Sequence, residues 1–167
     1  MNEVHMDVVK IGAELLLRKA KAIDTIDERS VKMIEAMIET LHAEGGVGLA
    51  GPQVGVSERL FVIDIDGKTP RAFINPSILE TSEDTVLIEE GCLSIPGVWA
   101  EVRRPRTVRV QAWNERGRPF TIEADGLLAR VIQHEYDHLE GILFIDRISP
   151  VKRERLLVKY QKQRAKH

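Results

Sequence analysis

The spacing of apolar residues predicts two long helices. Between residues 27 and 43, five apolar side chains recur every three or four positions and line one helix face: Val31, Ile34, Met37, Ile38 and Leu41. Two glycines follow at once, which favours the end of this helix. A second stretch with helical spacing covers residues 125–140 and also stops at a glycine. A shorter helical patch is expected over residues 13–20.

The middle of the chain has the composition of β-strands. Four segments are rich in Val, Ile, Phe and Thr: residues 60–65, 72–75, 85–89 and 107–113. Asp66-Gly67 and the segment 114–117 provide turn signals between them. A third helix is expected after Pro150, a favourable first-turn residue. The order of elements predicts an α+β fold, in which mostly antiparallel strands pack around a central helix between an N-terminal and a C-terminal helix.

Composition narrows the class of protein. The 167 residues are 43% hydrophobic and 30% charged, which is typical of one globular domain. Lys and Arg number 24 against 26 Asp and Glu, so a uniformly basic, DNA-binding surface is not expected. The single cysteine, Cys92, excludes a disulfide framework and favours a reducing compartment. With no apolar run long enough for a signal peptide or a membrane span, we expect a cytoplasmic protein without a membrane partner.

The charge is divided unevenly along the chain. Residues 151–167 contain seven basic residues and one acid, so residues 1–150 carry a net charge of -8 within the total of -2. We therefore expect an acidic body, residues 1–150, followed by a basic C-terminal helix of the same domain, residues 151–167.

Three polar residues of the second long helix lie on its apolar side. At about 100° per residue, His134, Glu135 and His138 fall among leucine, valine and isoleucine side chains. The opposite stripe is polar and is predicted to face water: Arg130, Gln133, Asp137 and Glu140. Burial of three such groups without partners is costly, so this helix face must meet a polar partner inside the protein.

A metal ion is one such partner. Two histidines one helical turn apart reach the same ion, and Glu135 between them lies beside it as a proton acceptor. The alternative is a pair of core histidines bonded to backbone groups, with Glu135 in a salt bridge. A catalytic ion usually has three protein ligands, and Cys92 is the best-placed third ligand. A lone cysteine is otherwise a small buried hydrophobic residue.

Residues 45–55 form a glycine-rich segment that ends near Gln53. Its glycines allow the backbone to approach another group closely. No Lys-Ser/Thr pair closes the segment and no strand precedes it, so a phosphate-binding loop is excluded. The alternative interpretation is a helix end followed by a turn, with Gln53 as an ordinary loop amide.

Three motifs in order resemble those of peptide deformylases. They are Gly-Val-Gly-Leu-Ala-Gly-Pro-Gln at residues 46–53, Glu-Gly-Cys-Leu-Ser at 90–94 and Gln-His-Glu-Tyr-Asp-His-Leu at 133–139. The resemblance covers about residues 27–150. It implies a metal-dependent hydrolase that removes the formyl group from the N-formylmethionine of nascent polypeptides and releases formate.

The resemblance also implies a role for each motif residue. Cys92, His134 and His138 would hold the metal, Glu135 would transfer the proton, and the Gln53 side chain and the Leu93 backbone N–H would bind the formyl oxygen. The ion implied is Fe(II), with zinc, nickel or cobalt as substitutes.

For the substrate, the resemblance implies an extended peptide that pairs with the backbone at Val47, Gly48 and Gly91. We expect Ile88, Leu127 and Val131 to form the methionine pocket. The chain departs from many relatives in Ala50-Gly51, where they have Ala-Ala, and in Trp99, where some have a basic residue.

Two other functions remain open from the sequence. One is a general His-Glu-x-x-His metallopeptidase, although only 29 residues follow His138 to supply its usual downstream ligand. The other is a non-catalytic metal-binding or peptide-binding module, although a closed structural site would need a fourth protein ligand. The basic C-terminal helix is either a solvated helix or, as the resemblance implies, a contact to ribosomal RNA.

Overall fold

A computed structural model describes residues 5–166 and has an α+β architecture with antiparallel sheets. Its helices are α1 (Glu28–Glu44), α2 (Gly126–Leu139) and α3 (Pro150–Ala165). Its strands are β1 (Gly48–Ala50), β2 (Leu60–Ile63), β3 (Arg71–Thr81), β4 (Thr85–Cys92), β5 (Ile95–Pro105), β6 (Val108–Trp113) and β7 (Pro119–Ala124). Short 3-10 turns occupy Glu14–Leu17, Gly51–Val54 and Phe144–Arg147. The predicted α+β fold is confirmed.

Local signals in the sequence set the helix ends. The Asp27 side chain accepts hydrogen bonds from the backbone of Arg29 and Ser30 at the start of α1. Gly45 ends this helix in the left-handed conformation, with φ of 70°. Ser149 caps α3 in the same way as Asp27 caps α1, since its side chain accepts a bond from the Lys152 N–H.

The strands form two separate sheets over the described residues. The larger has the order β1-β2-β3-β6-β7, and the smaller is the hairpin β4–β5. In the hairpin the register shifts between Glu90 and Cys92, and Cys92 then pairs with Ile95 across a tight turn. Such an irregularity re-aims the side chains next to it, so it determines where the Cys92 thiol points.

Strand β2 lies between two helices. Phe61 and Ile63 pack in the same apolar cluster as Ile132 of α2, whereas Leu60 and Val62 belong to the cluster that contains Met37, Ile34 and Leu41 of α1. Side chains alternate between the faces of a strand, so burial on both faces makes the whole of β2 apolar. Helix α2 is thereby held centrally against the sheet.

Helix α3 packs against the hairpin mainly through Tyr160. Tyr160 is buried in a third apolar cluster with Ile95 and Val98 of β5 and with Phe144. Most other side chains of α3 are exposed. That residues 151–167 belong to the same domain as residues 1–150 stays a prediction.

Several elements differ from the sequence-based expectation. The patch expected over residues 13–20 is only the 3-10 turn Glu14–Leu17, and strands β1, β5 and β7 were not predicted. Strand β5 contains a glycine and begins and ends near prolines, which breaks the usual strand composition.

The polar stripe predicted to face water on α2 does not do so. Arg130, Gln133 and Asp137 are all buried, and only Glu140 keeps partial exposure. Arg104 of β5 is buried as well. The charges of Arg104, Arg130 and Asp137 are compensated by ion pairs, described below. The Gln133 amide instead donates to the backbone carbonyls of Pro105 and Ala129.

Within residues 5–166, no helix combines the length and the apolar character that a membrane span requires.

Removal of the Tyr160 side chain tests the packing of α3. We expect Tyr160→Ala to lower the free energy of unfolding by about 3 kcal/mol, because it leaves a cavity in a buried apolar cluster. Val158→Ala, at an exposed position of the same helix, should change it by less than about 0.5 kcal/mol. Urea denaturation of both variants measures the difference. Equal effects of the two substitutions would contradict this packing.

Candidate metal centre and active site

The hairpin and the central helix bring three ligand-type side chains together. Cys92 ends β4, while His134 and His138 lie one turn apart on α2. Their ligand atoms all lie within 4.8 Å of one another, and Cys92 Sγ is 3.4 Å from His138 Nε2. Ligand atoms around a tetrahedral zinc-sized ion are about 3.5 Å apart. The donor set therefore fits one ion.

The hydrogen bonds of His134 leave the correct nitrogen free. Its Nδ1 lies 2.9 Å from Oε1 of Glu90, which leaves Nε2 available to an ion. Burial acts to lower the pKa of His134, but the interactions with Cys92 and Glu90 outweigh it and raise the pKa well above the usual value. Burial lowers the pKa of His138. The groups next to the His134 ring thus favour a positive charge there, which either a proton or a metal ion can supply.

Glu135 stands next to this donor set. Its Oε2 lies 4.0 Å from Nε2 of His134, and its Oε1 is buried with no hydrogen-bond partner in residues 5–166. A buried carboxylate oxygen without a partner is costly, so it marks a place for water or a polar ligand. Burial raises the pKa of Glu135 to about 7. A carboxylate with such a pKa is suited to accept and return a proton near neutral pH.

The buried Glu90 carboxylate contacts His134 and two arginines. Its Oε2 accepts hydrogen bonds from Arg104 Nε at 2.6 Å and from Arg130 Nη1 at 2.7 Å. Its Oε1 faces His134 and accepts a further bond from Arg104 Nη2 at 3.0 Å. Burial would raise the pKa of Glu90, but the bonds from His134 and Arg104 lower it to about 2. The ionised carboxylate fixes the ring of a candidate ligand.

The same cluster extends to Asp137. This carboxylate accepts bonds from Arg104 Nη1 at 2.9 Å and from Arg147 Nη2 at 2.8 Å. Arg130 also donates to the backbone carbonyls of Val86 and Val102. The cluster of Glu90, Arg104, Arg130, Asp137 and Arg147, hereafter the Glu90 cluster, therefore ties the hairpin to α2.

The sequence-based reasoning missed the Glu90 cluster. A usable signal was present, because Glu90 precedes Cys92 by two residues and four polar residues form one stripe on the helix that carries the histidines. Periodicity alone does not distinguish a solvated polar stripe from one that meets charged side chains of another element.

Gln53 lies in the site rather than in an ordinary loop. Its Oε1 accepts a bond from the Ala50 N–H at 3.0 Å, and its Nε2 donates to Ser94 Oγ at 3.1 Å. The same Nε2 is 3.5 Å from Cys92 Sγ. These contacts fix the amide with its donor nitrogen beside the candidate ligand.

The backbone of β1 also approaches the site closely. A Cβ added at Gly48 would lie 2.7 Å from Glu135 Oε2 and 2.7 Å from Val131 Cγ1. A side chain at this position would displace the buried side chains of Glu135 or Val131. Only glycine lets β1 run directly past Glu135.

A cavity of about 460 Å³ opens in front of these groups. Ten of the twelve site residues named from the sequence line it: Val47, Gly48, Gln53, Gly91, Cys92, Leu93, Leu127, Val131, His134 and Glu135. His138 is buried behind the lining. Ile88 is outside the lining, with 40% of its surface exposed, so its contact with methionine stays a prediction.

Comparison with known proteins agrees with this geometry. The family model of polypeptide deformylases matches residues 5–154. The peptide deformylase of Chromohalobacter salexigens is 44% identical over 160 residues, which cover 95% of this chain and 94% of the relative. That of Clostridium botulinum is 52% identical over 141 residues, or 84% of this chain and 95% of the relative.

Solved structures show the same fold. The crystal structure of the Legionella pneumophila peptide deformylase superposes with a TM-score of 0.92 at 41% identity and covers 96% of each chain. The Synechococcus elongatus peptide deformylase, in complex with actinonin, gives a TM-score of 0.91 at 42% identity and covers 96% of this chain and 88% of that chain. These matches decide against the general metallopeptidase and the non-catalytic module. The chain belongs to the peptide deformylase family, the metal-dependent hydrolases that remove the formyl group from the N-terminus of nascent peptides.

Proposed function

We propose that this chain deformylates formyl-methionyl peptides in the cavity between the hairpin β4–β5 and α2, with Cys92, His134 and His138 as the metal ligands. The convergence of their three ligand atoms within 4.8 Å, beside Glu135, carries the proposal. A divalent ion held there supplies Lewis acidity and makes water acidic enough to react near neutral pH.

We propose Fe(II) as the ion used in the cell, with zinc, nickel or cobalt as substitutes. One thiolate and two imidazoles form a donor set that suits these softer ions better than magnesium or calcium. The thiolate also makes the site sensitive to oxidation, which favours a reducing, cytoplasmic location.

In the proposed mechanism Glu135 is the proton carrier. It accepts a proton from the attacking water and returns it to the departing amine, so that the C–N bond of the formyl group breaks and formate leaves. Its burial, its unpartnered oxygen and its raised pKa support this role.

The Gln53 amide and the Leu93 backbone N–H are the proposed donors to the formyl oxygen as negative charge develops on it. Gln53 is already held by Ala50 and Ser94, so it needs no reorganisation during the reaction. Fixed donors of this type stabilise a tetrahedral oxyanion more than the ground-state carbonyl.

The substrate peptide is proposed to lie extended between Val47-Gly48 and Gly91. Strand β1 is at the end of its sheet, and among the described residues only β2 pairs with it, so its other edge is free to pair with a peptide. Leu127 and Val131 line the cavity where the methionine side chain would enter, and Ile88 is proposed as a third contact.

We also propose that α3 contacts ribosomal RNA near the nascent chain. Six basic side chains of α3 and of the residue that follows it are exposed: Lys152, Arg155, Lys159, Lys162, Arg164 and Lys166. Arg153 is bound to Asp146 instead. Within residues 5–166 none of these six takes part in an ion pair, and such a row of cations suits a phosphate backbone.

Substitution of Glu135 tests the mechanism and the function together. The wild-type protein, purified without oxygen, should release formate from formyl-Met-Ala-Ser. Glu135→Gln should keep its metal, since no ligand is removed, and lose at least about a hundredfold in kcat. Glu39→Gln, on the exposed surface of α1, serves as the control. Formate release and metal content are measured on the same samples, and a fully active Glu135→Gln protein would contradict the mechanism.

Substitution of Glu90 tests the support of the metal ligand. We expect Glu90→Gln to weaken metal affinity by about 10-fold to 100-fold, because the His134 ring loses its ionised acceptor. Competition with a chelator measures the affinity, and circular dichroism verifies that the variant is folded. An unchanged affinity in a folded variant would show that Glu90 does not position His134.

Charge reversal on α3 tests the ribosome contact. Replacement of Lys152, Arg155 and Lys159 by Glu should abolish co-sedimentation with ribosomes, and wild-type binding should weaken steeply as salt rises. Formate release from a short peptide should stay near the wild-type rate, since none of the three residues lines the cavity. Unchanged co-sedimentation at low salt would contradict the proposal.

A further inference from the structure

A second cavity, of about 350 Å³, lies on another face of α2 from the active-site cavity. Helix α2 contributes Gln133, Tyr136 and Asp137 to its wall, and the end of β5 and the segment after α2 contribute arginines. Among the described residues, none lines both cavities. This second space, hereafter the rear cavity, is therefore separate from the site proposed to bind the peptide.

The arginines of the rear cavity carry positive charge that is not fully compensated. Within the Glu90 cluster three arginines face two carboxylates. Arg147 is the exposed arginine of this cluster, and its Nη1 donates no hydrogen bond within residues 5–166. Arg103 also lines the rear cavity and donates only to the Thr85 hydroxyl, at 3.1 Å. An anion is the ligand that would compensate these two guanidinium groups.

The two carboxylates in the wall of the rear cavity do not cancel this charge. Asp137 already accepts hydrogen bonds from two arginines of the Glu90 cluster. Glu140 accepts one from Arg59 Nη1 at 2.8 Å, and its other oxygen lies 3.9 Å from Lys19 Nζ. Each carboxylate thus has two cationic partners, so neither leaves negative charge in excess.

The rest of the wall combines apolar surface with one unused polar atom. Ile78, Pro105 and Ile142 line the rear cavity. The Gln133 side chain is buried and its Nε2 donates to two backbone carbonyls, whereas its Oε1 accepts no hydrogen bond within residues 5–166. Apolar walls with a few fixed polar groups are typical of sites for small organic molecules.

We propose that the rear cavity binds a small organic carboxylate. Its carboxylate group pairs with Arg103 and Arg147, because a planar guanidinium matches the two oxygens of a carboxylate. Its apolar body lies against Ile78, Pro105 and Ile142, and this contact favours an organic acid over a bare inorganic anion. This site goes beyond the proposed deformylation, since none of its residues takes part in that chemistry.

Titration of the zinc-loaded, ¹⁵N-labelled protein with benzoate tests the proposal by NMR. The side-chain signals of Gln133, Arg103 and Arg147 should shift with a Kd of about 1 mM or lower. The backbone amides of Gly48 and Gly91, which line the active-site cavity, should not shift. Benzamide has the same shape without the charge and should bind at least about tenfold more weakly. Acetate has the charge without the ring and should bind at least about fivefold more weakly.

Arginine variants separate binding from a structural role. Arg103→Gln and Arg147→Gln should each weaken benzoate binding by about fivefold to tenfold and leave the weak benzamide binding unchanged. Arg103 is exposed and has only one hydrogen-bond partner, so its variant is expected to fold, which circular dichroism verifies. Arg116→Gln, at an exposed position between β6 and β7, is the matched control and should bind benzoate like the wild-type protein.

Three results would overturn the inference. One is the absence of any shift at Gln133, Arg103 and Arg147 when benzoate is far above the expected Kd. Another is a set of shifts confined to Gly48 and Gly91, since this would place benzoate at the metal centre instead. The third is equal affinity for benzoate, benzamide and acetate, or equal benzoate affinity of both arginine variants and the wild-type protein. None of these measurements depends on formate release, so failure here would leave the proposed function intact.

Discussion

The site depends on one buried carboxylate. Glu90 comes from the hairpin that carries Cys92, and it binds a histidine and an arginine of α2, the helix that carries both candidate histidine ligands. With Arg104 as a second arginine partner, the charge of Glu90 is compensated without water. Because the thiolate and the imidazoles lie on different elements, this link controls whether the three ligand atoms meet. The larger sheet and the apolar cluster that contains Phe61, Ile63 and Ile132 hold α2 in place, and the hairpin is aligned to it by charge.

The groups of the site fall into two kinds. His134, Glu135 and Gln53 are held in one orientation by packing or by hydrogen bonds, which suits bond-making chemistry. Val47, Trp99 and Leu127 at the mouth are half exposed, which suits recognition of variable peptide side chains. A rigid interior for the reacting group and an open rim for the rest of the chain match an enzyme whose substrates share only their first residue.

The sequence predicted those features that depend on local signals. Helices α1 and α2 follow from apolar spacing and flanking glycines, and the inward position of His134 and His138 follows from helix periodicity. Features that depend on distant pairs were not predictable in this way. Arg104 and Asp137 are 33 residues apart, so nothing local showed that each neutralises the other, and a buried stripe was interpreted as a solvated one. Strand β5 escaped detection for a related reason, because pairing with β4 stabilises it despite its glycine and prolines.

The mutual compensation inside the Glu90 cluster constrains how the protein evolves. Loss of any one of its four buried members leaves an opposite charge without its partner in the interior, which typically costs about 3–5 kcal/mol and approaches the entire stability of an average domain. Residues 90, 104, 130 and 137 are therefore expected to be retained together or exchanged together, although only the first of them touches a candidate metal ligand. Single substitutions are therefore expected at the exposed residues of the cavity mouth, whereas the buried charged residues of the Glu90 cluster are expected to change together.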